Sequence, residues 1–194
     1  MSVYEECPIL ENDLFLLRLV EENDIEDLLK VYSDVKAVPL FNSDNCHGDD
    51  FHYQTIERMS QAVDFWIDSY KNHWFVRWSI VCKATHEVIG TIEGFHRVAD
   101  DEFDGCGVIR LDIRSDYEKQ DVIEKILSLI MPHAYSFFDC IQVITKAVPQ
   151  AAERIKALKN SGFFKSQNKM IGTYDRKEYD NYWAAEIEKD KSSR

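Results

Sequence analysis

The middle of the chain alternates cleanly between apolar and polar positions. In Val108-Ile109-Arg110-Leu111-Asp112-Ile113-Arg114, Ile109, Leu111 and Ile113 share one face and Arg110, Asp112 and Arg114 the other, the period-two signature of a strand. Upstream, Trp74, Val76, Trp78, Ile80 and Cys82 alternate with Phe75, Arg77, Ser79, Val81 and Lys83. A second run, Val88 to His96, follows the turn around Ala84-Thr85-His86-Glu87, so the two predict an antiparallel hairpin. Leu14 to Leu19 reads as a buried strand, Ile141 to Val148 as another, and Tyr182 to Ala185 as a closing one.

Helical spacing takes over elsewhere. Asn23 with Glu26 resembles a capping box, after which Ile25, Leu28, Leu29 and Tyr32 recur on one face. Ile56, Met59, Val63, Trp66, Ile67 and Tyr70 mark a second amphipathic helix, with its aromatics expected in the core. A third helix follows Ser115–Asp121 and runs through Ile130, and Pro132 is expected to kink it or end it early. Pro149 opens a fourth, whose apolar face is Ala152, Ile155 and Leu158 and whose stop is Gly162. Lys36 to Phe51, with Pro39, Asn42, Asn45 and Gly48, reads as a long loop that either borders a substrate site or is a mobile surface excursion.

This order predicts a mixed α/β fold. Its central sheet is mostly antiparallel and flanked by helices, with one parallel βαβ unit over Val108–Val148. One domain is expected across residues 1–194, with its core at 14–186 and a charged, frayed tail at 187–194. Composition adds exclusions. A formal net charge of −12 argues against nucleic acid; it suits a cationic substrate, or simply a soluble surface. Five scattered cysteines fit neither a zinc site nor a disulfide framework and read as reduced thiols. With no signal-peptide pattern and no apolar run of membrane-spanning length, a cytoplasmic protein is expected.

Several phrases resemble the GNAT N-acetyltransferase superfamily, in particular its RimJ/RimL-like branch. They are Phe15–Asp24, the hairpin Trp78–Val81 with Val88–Ile92, Leu158-Lys159-Asn160-Ser161-Gly162-Phe163, and Lys177–Tyr182. The resemblance implies acetyl transfer from acetyl-coenzyme A to a primary amine of a small molecule or a protein N-terminus. It implies that the pantetheine arm enters between Ile109–Arg114 and Ile141–Ala147, against Leu111 and Ile113. The pyrophosphate would lie on Lys119, Gln120, Asp121 and Val122, where free amides and the helix dipole favour anions. The family's two loop glycines fall on Lys119 and Asp121, making this phosphate loop degenerate. Asp121 either brings a repulsion on the order of 4 kcal/mol per charge pair to a phosphate, or caps the helix with Glu124 as partner. The family's Asn and Ser in the last helix correspond to Ala151 and Arg154, and its acidic residue before the strand to Val108.

Three residues are candidates for proton transfer. Glu93 lies on the strand Thr91–Phe95, where burial is expected to raise its pKa. Asp112, flanked by Arg110 and Arg114, serves as a base or is held ionised between them. His96 has a suitable intrinsic pKa. A structural role is an alternative for each. Arg110, Asp112 and Arg114 either face solvent or line a polar cleft where arginine would bind an anionic ligand. Two functions follow: an N-acetyltransferase with an unusual cofactor loop, or a catalytically silent module of the same fold that binds a ligand or another protein.

Overall fold

The computed structural model describes residues 2–187. β1 (Leu10–Glu11) and β2 (Phe15–Leu19) open the sheet, followed by α1 (Ile25–Tyr32) and α2 (Ile56–Lys71). β3 (Val76–Cys82), β4 (Val88–His96) and β5 (Gly107–Ile113) form an antiparallel meander. α3 (Gln120–Phe137) then crosses to β6 (Gln142–Lys146), which runs parallel to β5. After α4 (Ala152–Asn160) come β7 (Phe164–Lys165), β8 (Met170–Ile171), β9 (Glu178–Tyr179) and β10 (Tyr182–Glu186). The main sheet has the order β1-β2-β3-β4-β5-β6-β10-β7, and β8 and β9 pair separately. The mixed α/β fold with one parallel crossover is as the alternation predicts. Of the tail expected to fray, 188–194 lies outside the described residues.

Both faces of the central strands are covered. Trp78, Ile80, Ile92, Ile109, Leu111 and Ile113 pack with Ile123, Ile126 and Ile130 of α3 in one core. On the other face, Leu28, Val31 and Tyr32 of α1 pack with Met59, Val63 and Trp66 of α2. Phe41 and Phe51, from the connection between these helices, join that second core. Consequently the polar side of β5 is not in solvent: Arg110 is 9% exposed and Asp112 0%.

The connection is a strap rather than a surface excursion. Asn45, His47 and Phe51 hold left-handed φ angles of 58°, 56° and 58°, at a cost of roughly 1–2 kcal/mol each for residues with a side chain. Anchors impose that path. The Asp44 carboxylate accepts from Lys146 Nζ at 2.6 Å to each oxygen and from the Tyr182 hydroxyl at 3.0 Å. Asn45 holds Thr173 and the Tyr174 amide, and Asp49 holds Arg58 and the Tyr53 hydroxyl.

Three local expectations are corrected. α3 runs through Pro132 to Phe137. Buried Ile130, Ala134 and Phe138 hold both sides of the proline on the sheet, outweighing the ~3 kcal/mol an interior proline costs. Asp121 does not cap that helix: Lys119 takes the cap position with extended φ and ψ of −130° and 145°, leaving Asp121 in the first turn. Near α1 the capping acid is Asp24 rather than Glu26. Asp24 is buried and accepts from the Glu21 amide, Arg18 and Ser79.

The β4–β5 pairing depends on a missing side chain. A Cβ on Gly90 would lie 2.2 Å from the Asp112 carbonyl oxygen and 2.8 Å from the Ile113 Cα. Backbone cannot step aside as a side-chain tip can, so Gly90→Ala is expected to destabilise the fold by about 1–3 kcal/mol in urea unfolding. An unchanged midpoint would show that the two strands are free to move apart there.

Candidate functional site

The first candidate site is an opening in the sheet. β5 and β6 pair only at Gly107 with Val143 and Val108 with Ile144; from Ile109 onward the strands part. The resulting wedge points towards the start of α3, where strand edge and helix amides would both be open to a ligand. Side chains of α4 partner polar backbone groups along it. Arg154, on α4 and 3% exposed, donates through Nη1 to the Leu111 carbonyl at 2.8 Å and the Leu40 carbonyl at 3.1 Å. Its other edge forms a fork with Glu118, at 2.8 and 2.7 Å. The Gln120 amide, first in α3, is also satisfied from within the chain: it donates to a Glu153 carboxylate oxygen at 3.2 Å. A protein carboxylate therefore sits where a helix N-terminus favours an anion.

The second candidate site lies on the opposite face, beneath α2 and the strap. It is a cavity of about 640 Å³ whose walls include Phe51, Tyr53, Phe65, Trp66, Trp74 and Phe75. Its floor comes from strand register. Arg77 on β3 is paired with Glu93 on β4, and Glu93 with Arg110 on β5. Glu93 thus lies between two guanidiniums: Arg77 Nη2 donates to one carboxylate oxygen, and Arg110 Nη1 to the other at 2.7 Å. Arg110 Nη2 also reaches the Asp44 carbonyl at 3.0 Å. The next row is Ser79, Thr91 and Asp112. Asp112 accepts from the Tyr32 hydroxyl at 2.8 Å and from Arg77 Nη1 at 3.3 Å. The Arg77 carbon sits 4.1 Å from the Trp66 ring centroid, so the aromatic wall also stabilises the cation.

This arrangement changes the electrostatic expectations. Burial alone would raise the Glu93 carboxyl, but Arg77 and Arg110 outweigh it and hold it below the ordinary glutamate value. The expected upward shift is therefore reversed, and an ionised carboxylate with both oxygens taken is a poor proton acceptor. Asp112 pairs with Arg77 and Tyr32, whereas Arg110 turns to Glu93 and Arg114 to Asp116. Burial pushes Asp112 up, against the pull of Arg77 and the Tyr32 hydroxyl. It lies behind Arg77 and is fully buried. His96 is elsewhere, exposed at the end of β4, with Nδ1 2.7 Å from the Phe138 carbonyl. It borders a smaller cavity of about 190 Å³ that shares Asn45, Phe95 and Arg110 with the larger one.

The residues implied for a cofactor separate in the same way. Leu111 and Ile113 point into the α3 core, and the Leu111 carbonyl is held by Arg154. Lys119 and Asp121 are exposed, and Gln120 and Val122 half-buried, at the start of α3. The three proton-transfer candidates do not converge on one point. The residues that organise the floor include Arg77, which alternation alone leaves unremarked; its signal is the cross-strand register with Glu93.

The antiparallel meander hands over to a parallel pair that parts, and comparison with known proteins agrees with this topology. A domain model described as acetyltransferase (GNAT) matches residues 15–164, and the chain belongs to that family. Among curated proteins it is similar to an uncharacterized N-acetyltransferase, YoaA, of Bacillus subtilis. The two are 24% identical over 129 residues, covering 66% of this chain and 67% of that protein. Among solved structures it is similar to a GNAT-family acetyltransferase from Bacillus anthracis, with a TM-score of 0.67 at 11% identity, covering 94% of this chain and 100% of that one. RimL, a ribosomal L7/L12 alpha-N-protein acetyltransferase in complex with coenzyme A, superposes with the same score at 16% identity and the same coverage. These structural likenesses carry the fold.

Glu93→Gln is expected to cost about 3–5 kcal/mol, because it leaves buried Arg110 with no carboxylate partner and Arg77 with Asp112 alone. Glu93 has a depressed folded-state pKa. Its stabilising contribution is thus present above the unfolded glutamate value, near 4.3, and is lost as pH falls through the folded value. Urea titrations from neutral to acid pH should show this loss in the native chain and a flatter acid limb in the variant. Equal acid limbs would place the acid-sensitive group elsewhere.

Proposed function

We propose that this GNAT-family chain works as a ligand-binding module through the 640 Å³ cavity and does not transfer acetyl groups from acetyl-coenzyme A. The observation that carries this reading is Arg154, locked to Glu118 and to the Leu111 carbonyl in the wedge that would admit a pantetheine arm. The residues present do not fit that cofactor. Entry would require a 3%-exposed guanidinium to leave three partners. Breaking such a buried pair costs several kcal/mol. At the phosphate end, Glu153 occupies the first amide and Asp121 adds a second carboxylate to the same turn. Glu93, the best-placed base on sequence grounds, is held ionised by two arginines.

A second reading, acetyl transfer to an amine after Arg154 swings aside, is favoured by one observation: the strands still part after Val108. A thermal shift separates the two. A ligand at about a hundred times its dissociation constant stabilises a protein by about 2.7 kcal/mol, roughly 5–10 °C for a chain of this size. The native chain should show no shift with millimolar acetyl-coenzyme A or coenzyme A. Combining Arg154→Ser, Ala151→Asn, Lys119→Gly and Asp121→Gly should create one. A shift of several degrees in the native chain would overturn the binding-module reading in favour of the enzyme.

A further inference from the structure

We propose that the 640 Å³ cavity takes a small carboxylate with an aromatic or branched apolar body, its anionic end on Arg110 and its body between Trp66, Trp74 and Phe75. This rests on the reading that the cavity, and not the wedge, is the ligand site. Three features define the ligand.

The first is charge. The lining contains Arg58, Arg77 and Arg110 against only Asp49 and Glu93, an excess of one cation in a chain of net charge −12. Neither carboxylate is free for a cationic ligand. Both Glu93 oxygens are held by arginine. Asp49 holds Arg58, the Tyr53 hydroxyl and the Phe51 amide. Asp44 nearby is taken by Lys146 and Tyr182. Asp112 is screened from the cavity by Arg77, and burial moves it towards its neutral form. An ammonium group entering here would meet three guanidiniums and no open acceptor, whereas a carboxylate meets charge-assisted donors.

The second feature places the anion. Arg77 spends its Nη atoms on Glu93, Tyr32, Thr91 and Asp112. Arg58 stands at the rim, over the Tyr53 ring at 4.3 Å. Arg110 has one full ionic partner, Glu93, which it shares with Arg77; its other contact is a neutral backbone carbonyl of the strap. Among the described residues the Nε of Arg110 has no partner, and neither has that of Arg77, so the difference between them lies in their ionic partners. Arg110 also borders both cavities, so it is the cation whose charge is least compensated at the floor.

The third feature is the mouth. Phe65 and Trp74 are 53% and 60% exposed, with ring centroids 6.4 Å apart. Two large aromatics left half in water at a cavity entrance gain apolar contact when a ligand body seats against them. The size is suitable too, since small-molecule sites span roughly 300–1,000 Å³.

Three matched probes test this by calorimetry and thermal shift: naphthylacetate, its amide and naphthylethylamine. The acid should bind at least about tenfold more tightly than the amide, as expected for one charge-assisted contact, and the amine should bind weakest. Trp74→Ala, at an exposed position, should weaken acid and amide alike. Arg110→Gln, which leaves Glu93 paired with Arg77 and removes the one-cation excess of the lining, should abolish the preference for acid over amide. Should that variant not fold, Arg110→Lys decides, since it should weaken the acid about tenfold and leave the amide unchanged. Equal or tighter binding of the amine, or no binding of any probe at millimolar concentration, would overturn the proposal. Acetyl-coenzyme A is titrated in parallel. A shift there sinks the reading of the wedge, whereas failure of the acid without such a shift sinks only the ligand class.

Discussion

Burying charge under two helices is the constraint around which this molecule is arranged. The central strands carry Arg77, Glu93, Arg110 and Asp112 on the face that α1 and α2 cover. Charges removed from water must find partners at close range or cost several kcal/mol each. The partners are supplied by register, with arginine, glutamate and arginine side by side across β3, β4 and β5. Tyr32 brings a hydroxyl from α1, and Trp66 brings a ring face from α2. The strap contributes a carbonyl to Arg110 and a carboxylate to Lys146. The cavity is the space left over this network, which is why its floor is ionic and its walls are aromatic.

The same logic operates across the sheet at the wedge. A parallel pair that separates exposes backbone carbonyls and amides that must be satisfied. Here the Leu111 carbonyl is satisfied by Arg154 and the Gln120 amide by Glu153. Each is a long side chain from α4 reaching towards β5 or α3. The fold keeps its opening while the residues around it supply internal partners. Fold and function are therefore argued from different residues: the strand order from apolar alternation, the binding chemistry from a few arginines and carboxylates.

The fold was largely legible in the sequence because its periodicities are strong. Ile109, Leu111 and Ile113 alternate as they should, α2 shows its Met59–Val63–Trp66 stripe, and Gly162 stops α4 with a φ of 86°. The site was less legible, for a definable reason. Alternation says that Arg110 and Asp112 share a face, not whether a helix covers it. Pairing Arg77 with Glu93 requires the hairpin register, and the register shifts between Ile80 and Val81. Counting back from Val81 opposite Val88 would place Arg77 opposite Ile92, with every side chain on the wrong face. Arg154 and Asp121 stood out as departures from the family pattern. That Arg154 holds the Leu111 carbonyl at the wedge could not be read from spacing, since its partners Glu118, Leu111 and Leu40 lie on three other segments.

The tie between Arg154 and Glu118 has a consequence for the lifetime of the chain. A protein whose sheet is completed by a bound small molecule is only as durable as that molecule is abundant, because its stability follows ligand concentration. At the wedge this chain carries a partner for the strand edge covalently, on α4. Its guanidinium ties β5 to the strap and to the loop before α3 where backbone pairing stops. The order of this seam is thus set by the chain's own residues, and a ligand in the cavity would add to stability separately.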